Sequence, residues 1–524
     1  MSCESQRWRY VSLPSCSFPF SLACEPIRVT CGRPYGSPIH ILDNDSVLNI
    51  FHHYRPIILE EDEDDDDRIL EGGEWGRERW WYKLAHVCRR WRYLILASAS
   101  HLHLRLVCTY GTPVADMLAH SPPLPLVIDH VEDDHDITTE HEEGLVLALQ
   151  LRDRVRRIRL QMPVPNLKRL MTAIGDEFPV LDYLYVAAPT KEKSNLVLPQ
   201  AFQAPHLRYL VLDNIICPIG SPLLTPTMGL LTLSLLNIHP SAYFSPNDLL
   251  QRLSLMPQLE TLGIVFHSPV SNRHVERQLL STPITTHVTL PSLRWFGFKG
   301  ASAYLEALLP QMTAPILEKL QVLFFNQLTY PVPHLLQFID TAENLTFRRA
   351  RIAFDEEGVS IRVYPHQGAK MYTLYVEVSC KPIDWQVASA AQVFNALRTA
   401  FLTVDSLTLE YNGSFIPSGW RNEVDRRPWR ELLGSFSNVK ILRIGVGDDF
   451  VGQLSRSLRL EDGEAPLELL PELKELSYSA IDDDDAAFTA FIDARQNSGR
   501  PVTLIRRGTS PTESSFSAFL SEEG

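Results

Sequence analysis

One phrase of apolar and polar positions recurs down most of this chain: apolar-x-x-apolar-x-apolar. It reads Val155-Ile158-Leu160, Leu181-Leu184-Val186, Leu207-Leu210-Leu212, Leu230-Leu233-Leu235, Leu259-Leu262-Ile264, Leu293-Phe296-Phe298 and Leu317-Leu320-Val322. It returns as Val404-Leu407-Leu409, Val439-Leu442-Ile444 and Leu473-Leu476-Tyr478, with weak copies near Phe347 and Met371 in between. The last two apolar positions are two apart, so both side chains leave a strand on one face. The first belongs to the turn that enters the strand. Prolines such as Pro163, Pro179, Pro205, Pro257, Pro291, Pro315 and Pro471 mark the boundaries, and helices fill intervals such as Pro246 to Met256. One strand–helix unit cannot cover its own apolar face, so neighbours must stack into a curved array with parallel strands on its concave side.

The N-terminal region follows a different, helical spacing. Leu42 to Tyr54 reads LDNDSVLNIFHHY. Asp43 is a good N-cap, because its carboxylate accepts from unpaired first-turn amides. Val47, Leu48, Ile50, Phe51 and Tyr54 make a broad apolar surface, and Arg55-Pro56 ends the helix. Trp80 to Arg92, WWYKLAHVCRRWR, predicts a second helix. Leu84, Val87, Cys88 and Trp91, then Leu94 and Ile95, share one face. Lys83, Arg89, Arg90 and Arg92 lie elsewhere on it, and His86 is inside it. So much aromatic surface on a short helix needs a partner, either a neighbouring helix or another protein.

Together these two fragments resemble the F-box, a helical module that docks on the Skp-type adaptor of cullin ubiquitin ligases. The resemblance is carried by Leu42, Asp43, Asn44, Asp45, Ser46, Val47, Leu48, Asn49, Ile50 and Phe51, then by Val87, Cys88, Arg89, Arg90, Trp91 and Arg92. Asp43 stands where the family pattern has proline. The gap between the halves is long and holds Glu60 to Asp67, EEDEDDDD, followed by Gly72-Gly73. Adjacent carboxylates repel, so this run reads as a solvated insertion. Residues 38 to about 180 also look like the large F-box families of mushroom-forming fungi, where VCRRWR precedes segments like Leu106 to Val114 and Pro122 to Ile128. The resemblance implies adaptor contacts from Leu42, Val47, Leu48, Ile50, Phe51, Leu84, Val87, Cys88 and Trp91.

The recurring phrase, spaced by about 23 to 35 residues, resembles leucine-rich repeats. The family's Asn or Cys after each strand is mostly missing, and Asn214 and Asn237 sit one place off that register. An irregular horseshoe is therefore expected. The alternative is an unrelated α/β domain with several Leu-rich strands.

Composition narrows the function. The 524 residues carry a net charge of −14, and Glu60 to Asp67 accounts for eight of those charges, which takes the remainder to −6. This is no basic footprint for nucleic acid. The basic stretch Arg152 to Arg159 alternates with Val155 and Ile158, which predicts a strand with a solvated face. No apolar run reaches the length of a membrane-spanning helix. The eight cysteines form no CxxC pair, which fits a reduced protein of the cytoplasm, the nucleus or both. No phosphate-cradling Gly-rich loop or Gly-x-Ser-x-Gly elbow occurs. The cluster from Asp129 to Glu143 has His130, His135 and His141 at spacings that fit no zinc helix.

The expected architecture is α/β: a short all-helical F-box followed by an irregular leucine-rich-repeat-like solenoid with parallel strands. The expected divisions are a disordered tail over 1–36, the F-box over 37–100 with its acidic insertion at 60–75, a linker or cap over 101–150, the solenoid over 151–505, and a disordered tail over 506–524. By resemblance the chain is a non-catalytic substrate-recognition subunit of a Skp–cullin–F-box ubiquitin ligase. Its partners would be the Skp-type adaptor, cullin through it, and a target protein, with no cofactor, nucleic acid or membrane. The alternative is an interaction scaffold with a divergent F-box and no ligase coupling.

Overall fold

The computed structural model describes residues 42–54, 80–109, 112–131, 137–189, 195–225, 229–267, 283–327, 329–380, 383–412, 426–445, 448–459, 468–479 and 488–507. The tail over 1–36, the insertion at 60–75 and the C-terminal tail from 508 onward lie outside the described residues.

Every clear copy of the phrase places its last two apolar residues on a strand. These strands are β3 (Val155–Gln161), β4 (Tyr183–Ala187), β5 (Tyr209–Asp213), β6 (Thr232–Ile238) and β7 (Thr261–Phe266). They continue, past the short β8 (Val288–Thr289) and β10 (Met312–Thr313), as β9 (Trp295–Gly300) and β11 (Lys319–Phe324). The late copies are β15 (Ser406–Tyr411), β16 (Ile441–Ile444) and β17 (Glu475–Ser479). Pairing is in phase from copy to copy: Leu184 lies beside Leu210, and Leu210 beside Leu233. The phrase residues are buried together with helix residues such as Leu167, Leu170, Leu249, Leu253, Leu335 and Phe338, in one core.

The entering turn has a repeated construction. The amide of the first phrase residue donates to the carbonyl three positions back: Leu207 to Ala204, Leu259 to Met256, Leu293 to Leu290, Leu317 to Ala314, Val404 to Phe401 and Leu473 to Leu470. Each accepting residue is buried, so the turn contributes a further apolar anchor per repeat. Helix starts are set locally as well. Before the helix Pro246–Leu253, Ser245 and Asp248 form a reciprocal capping box.

Three features depart from the expectation. First, the sheet begins earlier. β1 (Leu106–Cys108) and β2 (Leu126–Val131) are its first two strands, so the segment over 101–150 is part of the stack. At the far end β18 (Thr503–Arg507) takes in Arg506 and Arg507, so the expected tail over 506–524 begins later than the sequence implies. Among the described residues the sheet has 16 strands.

Second, the strands are not all parallel. Between β11 and β15 lie β12 (Arg349–Phe354), β13 (Gly358–Tyr364) and β14 (Leu374–Ser379), in the spatial order β11-β14-β13-β12-β15. β13 runs antiparallel to both neighbours. A tight turn causes the reversal: Asp355 Oδ1 accepts from the amides of Glu357 and Gly358, each at 2.8 Å. A two-stranded return through so short a turn must be antiparallel. Gly358 is required there, because a Cβ would lie 2.3 Å from the Val378 carbonyl oxygen.

Third, the asparagines past β5 and within the end of β6 serve the loops despite their register. Asn214 and Asn237 have φ of 55° and 49°, a left-handed conformation that Asn tolerates. The Asn214 side-chain amide donates to the Pro189 carbonyl at 3.0 Å, and that of Asn237 to Asp213 Oδ1 at 2.7 Å.

Candidate functional site

The N-terminal helices are the first candidate. α1 (Asn44–Tyr54) starts as its sequence dictates, with the Ser46 amide donating to Asp43 Oδ1 at 2.7 Å. The second helix differs from the expectation. It is broken into α2 (Trp80–Ala85) and α3 (Arg89–Ala97), with His86 and Val87 in the turn between. Cys88 adopts an extended conformation and caps α3, its Sγ accepting from the Trp91 amide at 3.5 Å. Arg92 Nε crosses the break to the Ala85 carbonyl at 3.0 Å. A local cap therefore outcompetes the continuous apolar stripe.

The two motif fragments lie against each other. Phe51 meets Trp91 edge to face with ring centroids 4.9 Å apart. Arg90 Nη2 donates to the Leu42 carbonyl at 2.5 Å and to Asn44 Oδ1 at 3.0 Å. Trp81 Nε1 reaches the Arg105 carbonyl at 3.2 Å, which ties the helices to the first strand of the sheet. The residues assigned to adaptor contact divide by burial. Val47 and Phe51 are fully buried inside the chain's own core. Leu42, Leu48, Leu84, Cys88 and Trp91 are half-buried. Ile50 is 44% exposed and Val87 58%. Tyr54 and Tyr93 add exposed aromatic surface that motif matching did not select. Ile50 and Tyr54 share a helix face at i, i+4.

The second candidate is the sheet face opposite the buried phrase residues, where the polar position between each pair of strand leucines points. Register places one such row across neighbouring strands: Asp129, Arg159, Tyr185, Val211, Ser234, Gly263, Gly297, Gln321 and Tyr375. It continues through Arg362, Arg351, Thr408, Arg443 and Ser477.

The row changes character along its length. At its start the charges pair off: Arg159 lies 3.8 Å from Asp129, and its guanidinium sits over the Tyr185 ring. Arg159 is buried while Arg156 is exposed and Arg157 half-buried, so the solvated strand face expected of Arg152 to Arg159 forms only in part. The middle is aromatic. The Trp295 indole lies over Gly297, where any Cβ would come within 2.3 Å of it, and it reaches to Gly263. Nearer the start, Tyr183 on β4 and Tyr209 on β5 pack with ring centroids 5.9 Å apart. The far part is cationic. Arg351 is ion-paired to Glu410, Arg362 stands over the Tyr375 ring, and Arg349 over the Tyr364 ring with donation to the Gln367 carbonyl at 2.9 Å. Burial, with the like charges of Arg443 and Arg351, holds the Arg349 guanidinium below its ordinary pKa. Burial, with the Glu377 carboxylate, pushes the Tyr375 hydroxyl well up. The phrase itself carries the signal for this row, but its alignment needs the register of β12, β13 and β14, where the sequence offers only the weak copies near Phe347 and Met371 and none on β13.

Other chemistry is sparse. A cleft of about 510 Å³ opens at the strand-entry edge, lined by Pro123, Pro125, Arg154, Arg156, Asp182, His206 and Arg208 among others. Two of its cations are engaged: Arg154 Nε donates to the Leu124 carbonyl at 3.0 Å, and Arg156 Nε to Asp182 at 2.6 Å. Burial pushes the Cys217 thiol up to about 12, which withholds a thiolate nucleophile. Among the described residues no group of three His, Cys, Asp or Glu is placed to hold a metal ion. No described helix is long and apolar enough to cross a membrane.

No protein-family model matches the chain, and no curated protein matches it. Solved structures match at a low level, among them the following two. The TLR13–ssRNA13 complex shows 12% identity and a TM-score of 0.29, over 76% of this chain and 48% of that one. The chain thus spans about half the length of the TLR13 chain. The leucine-rich repeat-containing protein LegL7 from Legionella pneumophila shows 11% identity and a TM-score of 0.22, over 76% and 99% of the two chains.

Proposed function

We propose that this protein is a recognition subunit that joins a target protein to a Skp–cullin–F-box type ubiquitin ligase. The large, mostly parallel, leucine-rich-repeat-like sheet is a protein-interaction scaffold. The ligase reading rests on one observation: the two F-box-like fragments, separated in sequence, pack on each other through Phe51, Trp91 and the Arg90–Leu42 bond while Ile50 and Val87 stay exposed beside them. In this reading Ile50, Val87 and the half-buried Leu48 and Leu84 meet the adaptor, and Val47 and Phe51 keep the module folded. The sheet face opposite the core would hold the target. Ubiquitin transfer would belong to partner subunits, and this chain would act by raising the effective concentration of a target lysine near the charged enzyme. The setting would be the cytoplasm or nucleus.

The test is co-purification with a Skp-type adaptor. Large apolar anchors dominate such interfaces, at about 2 kcal/mol or more each when truncated. Leu48→Ala with Ile50→Ala should weaken adaptor capture by about tenfold or more while the sheet stays folded. Undiminished capture by that double variant would refute the assignment. Adaptor binding without cullin would favour a scaffold uncoupled from the ligase.

A further inference from the structure

The arginines at the far part of the open row are placed against each other. Arg362 and Arg351 are direct cross-strand partners, and Arg443 lies two strands beyond Arg351 with only Thr408 between. Strands are spaced by about 4.8 Å, so Arg351 and Arg443 project roughly 10 Å apart. Like charges at facing positions of a sheet destabilise it. Three carboxylates share this face: Glu410 pairs with Arg351, Glu377 accepts from the Tyr375 hydroxyl at 2.6 Å, and Glu475 stands on β17 two residues before Ser477, the register partner of Arg443. Lys319, on the same face of β11, stands over the Tyr372 ring and adds a further cation. The Arg443 Nε is buried and has no hydrogen-bond partner among the described residues. The cations on β11, β12, β13 and β16 thus outnumber the local anions, whereas on β2 to β6 Arg159 lies beside Asp129 and the Asp213 carboxylate accepts from the Asn237 amide.

We propose that the row Arg362–Arg351–Arg443, with Arg349 beside it, is the seat of an acidic segment of the target protein, a short extended stretch bearing aspartate or glutamate. The inference rests on the reading of this sheet face as the target surface. Guanidinium groups present planar forks that take carboxylates bidentately, and they are less strongly hydrated than ammonium groups, which suits a half-buried site. Thr408, in register between Arg351 and Arg443, carries a short side chain. A long polyanion such as a nucleic acid is disfavoured by the chain's net charge of −14, which repels it beyond this local patch.

The test uses the full chain and a fluorescein-labelled peptide alternating Gly and Glu, with its Gly–Gln counterpart, read by anisotropy. The Glu peptide should bind about tenfold or more tighter than the Gln peptide, and weaken with added salt. The double variant Arg362→Gln, Arg443→Gln should lose about tenfold or more of that affinity. Arg443→Lys, which keeps the charge and the fold but not the fork, should lose part of it. Arg294→Gln, at an exposed ion pair on the strand-entry edge, should lose none. Equal affinity for the two peptides, unaltered binding by both Arg443 variants, or preferential binding of a short single-stranded RNA would overturn the proposal. Adaptor capture by the same variants separates the two readings. Peptide binding lost with adaptor capture intact supports the row. Peptide binding kept where the unvaried chain captures no adaptor overturns the ligase reading and leaves the row standing.

Discussion

Phe51 and Trp91 meet edge to face, their ring centroids 4.9 Å apart and their planes inclined at 70°. One comes from the helix Asn44–Tyr54 and the other from Arg89–Ala97, so this contact joins two stretches that the chain keeps far apart in sequence. Phe51 is fully buried, while Ile50, its immediate neighbour, is 44% exposed. Adjacent helix positions thus hold an internal anchor and a surface residue.

That division can be measured. Phe51→Ala leaves a cavity against Trp91 and should cost about 3–5 kcal/mol of the helical module's stability. Ile50→Ala should stay within about 0.5 kcal/mol, as surface substitutions do. Hydrogen exchange on the helices Asn44–Tyr54 and Arg89–Ala97 is the readout, with protection lost in the first variant and kept in the second. Equal losses would mean that Ile50 packs inside the chain.

Leu210 is flanked in register by Leu184 and Leu233, and all three are buried. Leu210→Asp puts a carboxylate into that stack without a partner, at a cost of several kcal/mol. Contacts run between neighbours, so damage should be strongest at the two adjacent strands and fade along the array. Exchange protection should fall at Leu184 and Leu233, with the N-terminal helices spared. Unaltered exchange at those strands would show that the repeats do not stack as one unit.

His130 sits on β2 on the core side, 1% exposed. Burial, reinforced by the nearby His141, lowers its imidazole pKa from the ordinary value of 6.5. The folded state therefore binds fewer protons than the unfolded state as pH drops below that value. The stability His130 permits is complete above about pH 6.5 and declines as pH falls through and below it. Thermal unfolding midpoints followed from about pH 7.5 to about pH 5 should fall less steeply for His130→Asn than for the unaltered chain. Identical slopes would rule His130 out as a source of the acid sensitivity.

The strand copies were legible because their cause is local. A leucine that must be buried every second position leaves a period of two in the sequence, and the burial of Leu184, Leu210, Leu233, Leu262 and Leu407 follows from it. Asp43 was legible for the same reason, since its carboxylate acts on an amide three residues away. The helix break at Cys88 was not. Apolar spacing continues smoothly through Val87, and it is the cap bond to Trp91, the Arg92 bond to the Ala85 carbonyl and the packing of Trp91 on Phe51 that favour a new helix over a continuous one.

Which apolar side chains face inward likewise needed the assembled module, because Val47, Ile50 and Phe51 are equally hydrophobic as letters. The deepest gap lies between β11 and β15. The phrase fades there, and a reversed strand enters between two that the chain order would have made neighbours. That reversal alone sets Arg362 against Arg351. Sequence by itself determined the period, the stacking and the side of each strand that is buried, since these are consequences of hydrophobic burial along a short stretch. Tertiary structure alone decided which distant strands pair, and so which polar residues meet across the open face, because strand order is a property of the whole sheet and leaves no period in the chain.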